Sequence, residues 1–342
     1  MKIYFDIEHL KSLSKSILSH PERDVFLKIL KARLNIKCTF DKSFPQSNLK
    51  RKDIDLIRTF LMQLTTGRGN TDSIEYTIEL PKLMLHSGQN QKQPLANGFS
   101  DVYMLSDFYV TLPDNQAIPA HQILLMPSEQ INELKVLENL LIENRELTGS
   151  YLSQSMDDWS VIEEHKSPCT DIILVDKYVF SDNEASIDIN LHSILNILCS
   201  SAVIPTNIVI FSNGNGLVLE SRIGNNDVIK NIKEYLKNKT GVVPYVTFVK
   251  CDSLQGDLKR VVHDRQIITN YKRFKSGDSF TYFGGKTKPD TELEIYSLCH
   301  PNHFNVTNQK IQGLQDVVDY LKNKPQIRLE IIGDKKSNYL IF

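Results

Sequence analysis

Residues 259–279 read KRVVHDRQIITNYKRFKSGDS. The apolar-rich run Arg260–Ile268 within this stretch reads as a strand, and alternate side chains of a strand share a face. His263 and Arg265 are then expected to point one way, and Val262, Asp264 and Gln266 the other. A histidine beside a permanent cation makes chemical sense where both reach a phosphate. Imidazole can attack phosphorus without a metal. A nearby cation neutralises the non-bridging oxygens, and the planar guanidinium fork suits a phosphate. Backbone amides of a glycine turn, here at Gly277, bind a further oxygen. Asn270 follows the strand. Lys259, Arg260, Lys272, Arg273, Lys275, Ser276 and Ser279 extend the expected ligand-binding surface. The aromatics Tyr271, Phe274, Phe280, Tyr282 and Phe283 interleave with these cations, a mixture that suits either base stacking or a half-buried hairpin.

Around this stretch, apolar runs alternate with amphipathic segments, the pattern of an α/β sheet. The expected strands are Asp171–Val175, Ile208–Phe211, Tyr245–Lys250 and Leu293–Leu298, with further candidates at Ile327–Ile332 and Tyr339–Phe342. Helices are expected near 188–200, 226–238 and 311–323. The polar stretch 147–168 reads as a boundary, giving a first domain over 1–150 and an α/β domain over 165–342. The first domain reads as mixed α+β. Ile7, Leu10, Leu13 and Ile17 recur at helical spacing, as do Val25, Phe26, Ile29, Leu30 and Leu34. Residues 53–65 and about 128–146 read as further helices, and Ser73–Leu80 alternates like a strand. Asp6 reads as a helix-start carboxylate. No chemical motif stands out in this half.

Composition narrows the class. The 342 residues carry a net charge of −1, with 41% hydrophobic and 24% charged side chains. The charge is uneven: residues 230–288 hold thirteen Lys/Arg against five Asp/Glu. Such a block suggests a local surface for an anionic partner. The five cysteines, Cys38, Cys169, Cys199, Cys251 and Cys299, form no CxxC pair and read as reduced structural thiols. With no apolar run long enough to span a bilayer and no signal-peptide pattern, a cytoplasmic protein is expected. SNGNG at 212–216 reads as a turn and CHPNH at 299–303 as a loop, and no cofactor or metal site is expected.

The stretch 259–279 resembles the phospholipase D superfamily signature, HxKx4D followed after six residues by a glycine. His263 takes the histidine position, Arg265 the lysine, Asn270 the aspartate and Gly277 the glycine; Ser279 lies one residue past the usual serine. The resemblance covers about half the chain and implies a phospholipase D-like α/β sandwich. The HDR triplet, with Asp176-Lys177-Tyr178 after the run DIILV, looks similar to the phospholipase D-like C-terminal domain of proteins bearing a microtubule-interacting-and-trafficking domain. That branch implies binding of anionic phospholipid rather than catalysis. Arginine in place of lysine and asparagine in place of aspartate depart from the superfamily pattern. The superfamily also uses two such motifs, so hydrolysis here would need a homodimer to supply a second histidine.

The leading expectation is therefore a protein that binds a phosphodiester ligand, nucleic acid before lipid, at a degenerate site. Bacterial phospholipase D-like domains serve in nucleases and phage-defence systems, and the resemblance extends to a role in antiviral defence. The alternatives are a metal-independent nuclease acting as a homodimer, an anionic-lipid module, and a scaffold whose N-terminal half holds a protein partner.

Overall fold

The computed structural model describes residues 158–166, 169, 171–180, 184–200, 202, 205–213, 225–284, 291–298, 301–324, 331–335, 338 and 341. It also describes 2–5, 11, 14–15, 18–19, 23–24, 27, 35–39, 50–65, 74–77, 102–104, 109–111, 117–119 and 144–148. The chain divides into two units, Met1–Leu141 and Ile142–Phe342.

The first unit contains a four-stranded sheet of β1 (Lys2–Phe5), β2 (Asn35–Thr39), β3 (Ile74–Thr77) and β4 (Val102–Met104), in the order β3-β2-β1-β4. All three pairings are parallel. β5 (Tyr109–Thr111) pairs antiparallel with β6 (Ala117–Pro119). Helix α1 (Arg51–Thr65) buries Ile57, Phe60, Leu61 and Leu64, the one-face spacing that sequence periodicity predicts. The sequence reading missed β1, which precedes the first helical pattern; the described residues 11, 14–15, 18–19, 23–24 and 27 are helical, as the periodicity predicts. Asp6 lies outside the described residues.

The boundary falls earlier than the polar stretch 147–168 implies. Residues expected to end a helix near 146 form β7 (Asn144–Thr148), an edge strand of the second unit's sheet. That sheet has eight strands in the order β14-β10-β9-β8-β11-β12-β13-β7. Its central part, β8 (Asp171–Val175), β9 (Asn207–Ser212) and β10 (Tyr245–Lys250), is parallel. Antiparallel strands extend it on one side: β11 (Arg265–Thr269), β12 (Lys272–Ser276), β13 (Glu292–Ser297) and β7. β14 (Ile331–Gly333) closes the other side, also antiparallel.

The parallel strands are buried on both faces, which is why they read as continuous apolar runs. On one face, Ile172, Leu174, Ile208, Ile210, Val246 and Phe248 pack in one cluster with residues of two helices. The first, α2, runs through Glu184–Ile187, Asp188–His192 and Ser193–Cys199, and its middle section is π-helical. The second is α3 (Asn225–Thr240). These helices are the crossovers β8-to-β9 and β9-to-β10. Strand order advances the same way twice, so crossovers of the same hand put both helices on one face. On the other face α5 (Pro301–Lys322) packs on β13, with His303 against Tyr296, and α4 (Gly256–Val261) packs against α5. Gly313 of α5 lets the helices close up: a Cβ there would sit 3.1 Å from the methyls of Val261.

The second unit is thus an α/β structure with helices on both faces of a mixed sheet. Three local expectations are corrected. The run Arg260–Ile268 is not one strand: α4 ends at Val261, a turn covers Val262–Asp264, and β11 begins at Arg265. Strand β12, which the sequence reading did not name as a strand but allowed for as a half-buried hairpin, starts only three residues after β11 ends and pairs with it antiparallel. CHPNH is not a loop throughout, since α5 begins at Pro301 and His303 packs its ring against Tyr296, centroids 4.8 Å apart.

Candidate functional site

β8 runs towards its carboxyl end at Val175, and β11 is antiparallel to it, with Gln266 opposite Val175. The turn after β8 (Asp176, Lys177, Tyr178) therefore meets the start of β11 at Arg265. Sheet edges of this kind, outside the carboxyl ends of parallel strands, are where open α/β sheets bind ligands.

Asp176 organises this edge. It is fully buried, and each oxygen is used. Oδ1 accepts from the Tyr178 amide at 2.9 Å; Oδ2 accepts from the Ser279 hydroxyl and the Phe280 amide, both at 2.7 Å. Burial pushes its pKa up, opposed by these three hydrogen bonds and by the charge of Arg265. The carboxylate ties the loop after β12 back onto the end of β8. Phe280, Tyr282 and Phe283 then enter the core around Trp159, which stacks on Tyr282 at 4.9 Å and meets Phe283 edge-on at 5.4 Å. Asn190, on the π-helical turn of α2, accepts from Trp159 Nε1 and the Phe283 amide, each at 3.0 Å.

The same loop consumes the amides that a phosphate would need. The Gly277 N–H donates to Glu292 O, that of Asp278 to Ser276 Oγ, that of Ser279 to Asp278 Oδ1 and that of Phe280 to Asp176. Ser276 bonds Tyr282 Oη, and Ser279 bonds Asp176. Gly277, Ser276 and Ser279 thus build the loop and offer no open phosphate cradle. A Cβ at 277 would meet the Thr291 hydroxyl and force that side chain to shift.

The structure also separates the cations that the sequence brings together. Lys272 and Arg273 are both buried and, being consecutive on β12, face opposite sides. Arg273 lies 4.7 Å above the Tyr296 ring, and burial lowers its pKa. Lys275 is exposed but paired with Glu294. Tyr271, Phe274, Phe280, Tyr282 and Phe283 are all buried, so none can stack a base. Asn270 leaves the site altogether: it lies beyond the far end of β11, about 16 Å from Arg265 at strand spacing. There its buried Oδ1 accepts from the Asp171 amide at 3.1 Å, tying the β11–β12 turn to the start of β8.

His263 lies in the turn before the strand rather than on it, and is exposed. Its amide closes α4 by donating to Arg260 O at 3.0 Å. Asp264 turns to Lys310 of α5, so it does not orient the imidazole. Arg265 donates from Nη1 to Gly277 O at 3.2 Å, and its guanidinium lies 5.7 Å from the centroid of Tyr178. Lys177, which the sequence reading named only as part of a resemblance, is the missed member. Lys177 is a buried residue, and its ammonium donates to Lys259 O at 3.3 Å in a part-buried bond. Burial is the main cause that lowers its pKa, and the charges of Lys259 and Arg265 lower it further. Arg260 is highly exposed and pairs with Asp257.

What remains at the edge is a compact set: Lys177, Lys259 and Arg265 as cations, and Tyr178 as the exposed aromatic, with the exposed His263 in the turn between Lys259 and Arg265. Among the described residues no carboxylate forms an ion pair with any of the three cations. No group of three or more His, Cys, Asp or Glu side chains is arranged to hold a metal ion among the described residues. No helix among them is long and apolar enough to cross a membrane. The sequence matches no protein-family model and no curated protein sequence.

Proposed function

We propose that the second unit is a phospholipase D-like module that binds the phosphodiester backbone of nucleic acid without hydrolysing it. The observation that carries this reading is the like-charge cluster at the ends of β8 and β11. Burial first, and then the charges of Lys259 and Arg265, disfavour the charged form of Lys177, and among the described residues no carboxylate forms an ion pair with any of the three. Like charges held together at a partly buried edge cost stability until an anion joins them. Phosphates joining several cations release counterions and gain affinity.

Binding fits the geometry better than turnover. A nucleophilic histidine is activated by a partner that orients it, and the carboxylate next to His263 is held by Lys310. The backbone amides that would stabilise developing charge are spent inside the loop. Nucleic acid is favoured over a lipid surface because the exposed large side chain beside the cations is Tyr178, not an aliphatic wedge.

The test is fluorescence anisotropy of labelled oligonucleotides with the full chain, across a salt series. Lys259→Gln and Arg265→Gln should each weaken binding and reduce the log–log salt slope by about one. Salt-independent binding, or equal binding by both variants and the wild type, removes the proposal. Cleavage of the oligonucleotide in EDTA that disappears in His263→Ala would replace binding by hydrolysis. Binding confined to anionic vesicles would replace nucleic acid by lipid.

A further inference from the structure

The carboxyl-end edge carries a second aromatic–cation pair. Lys324, just past the end of α5, lies 4.6 Å from the centroid of the Tyr320 ring and donates to Ser253 Oγ at 3.0 Å. Ser253 follows β10, as Tyr178 follows β8. The two strands are parallel with only β9 between them, so their ends emerge on the same edge about 10 Å apart. Tyr178 and Tyr320 are both exposed, at 46% and 41%. Each ring carries a cation over one of its faces: Arg265 over Tyr178 and Lys324 over Tyr320. A single phosphate or lipid headgroup would engage one of these groups only. An unpaired polynucleotide repeats both features the edge repeats, a phosphate and a flat base.

Resting on the phosphodiester reading above, we propose that the ligand is single-stranded nucleic acid. It lies across the carboxyl ends of β10, β9 and β8, with one base on Tyr178 and another on Tyr320. The cations hold the backbone and the rings hold the bases, the division of labour found in sequence-tolerant single-strand sites. Bases inside a duplex are already stacked on each other and have no face to give the tyrosines.

The experiment compares three probes on the full chain: labelled oligothymidylate, the same strand annealed to oligoadenylate, and inorganic polyphosphate, which has charge but no bases. Tyr178→Ala and Tyr320→Ala should each weaken oligothymidylate binding roughly tenfold. Polyphosphate binding should stay unchanged, and Tyr178→Phe should keep wild-type affinity. Unchanged oligothymidylate affinity in either alanine variant overturns the course drawn here, as does tighter binding to the duplex than to the single strand. If Arg265→Gln weakens binding while the tyrosine variants do not, the phosphodiester reading stands and this inference fails. If none of the variants changes binding, both fail.

Discussion

The two ends of β11 solve opposite problems with similar materials. At the Thr269 end, polar side chains close on backbone. Asn270 accepts from the Asp171 amide, and Asn338 donates to the carbonyls of Ile172 and Asn207. Thr269 Oγ1 accepts from the Tyr271 and Lys272 amides, at 3.4 and 3.1 Å. At the Arg265 end, the carboxylate that could neutralise the cations is turned inward and spent on Ser279, Phe280 and Tyr178. One end is closed and adds stability. The other holds three cations that form no ion pair with a carboxylate among the described residues, the kind of local conflict that well-folded chains keep at functional sites. The contrast also explains why hydroxyls and amides of the motif loop do not serve the ligand: they are what hold the cations' platform in place.

The largest test of this contrast is Asp176→Ala. It leaves two buried donors, the Ser279 hydroxyl and the Phe280 amide, without an acceptor, each worth roughly 1–3 kcal/mol, and frees the part-buried Tyr178 amide. The expected loss is about 3 kcal/mol or more, a large part of the ~5–15 kcal/mol that a domain holds. Denaturant unfolding of the full chain measures it. The ligand affinity of the fraction still folded should fall as well, because the loop that presents Gly277 O to Arg265 is released. A variant of wild-type stability would mean that the loop is held by its aromatics alone.

Asn270→Ala probes the closed end. It strips the acceptor from one buried amide, so a loss of about 1–3 kcal/mol is expected. Oligonucleotide affinity and its salt slope should not change. A change in affinity without a change in stability would return Asn270 to the binding site and break the distinction between the two ends.

Much of the second unit was legible because its strands are buried on both faces. Asp171–Val175 and Tyr245–Lys250 fall where the apolar runs put them. The motif segment was harder, for physical reasons that can be named. Arg260–Ile268 is apolar enough for a strand, but Lys177 reaches the Lys259 carbonyl and the His263 amide closes onto Arg260 O, so a helical turn takes its first part. Lys272 and Arg273 look like surface cations. Instead β12 is an interior strand, with β11 and β13 on either side, and Arg273 lies under Tyr296. Nothing local in the sequence signals that a lysine-rich strand will be interior. Spacing alone also could not separate Asn270 from His263. The x4 interval of the motif spans the length of a strand, so residues grouped by the pattern stand at opposite ends. Lys177 was hidden for the converse reason: it is 88 residues from Arg265 in the chain and meets it only through β8–β11 pairing.

The smallest expected effect is also the most specific to the open end. Burial and the neighbouring cations hold the Lys177 pKa below the ordinary lysine value of 10.5. The ammonium of the free protein therefore loses its charge below the pH at which an ordinary lysine would. A bound phosphate stabilises that charge, so binding takes up a proton and affinity should decline as pH climbs towards the ordinary lysine range. In Lys177→Arg the charge persists over the same range. Its affinity near neutrality should lie close to that of the wild type, with the alkaline decline flattened. Anisotropy titrations of both proteins over an alkaline pH series read the difference directly. Parallel profiles would place Lys177 outside the ligand's reach and leave Lys259 and Arg265 as the cations that distinguish this end of β11 from the other.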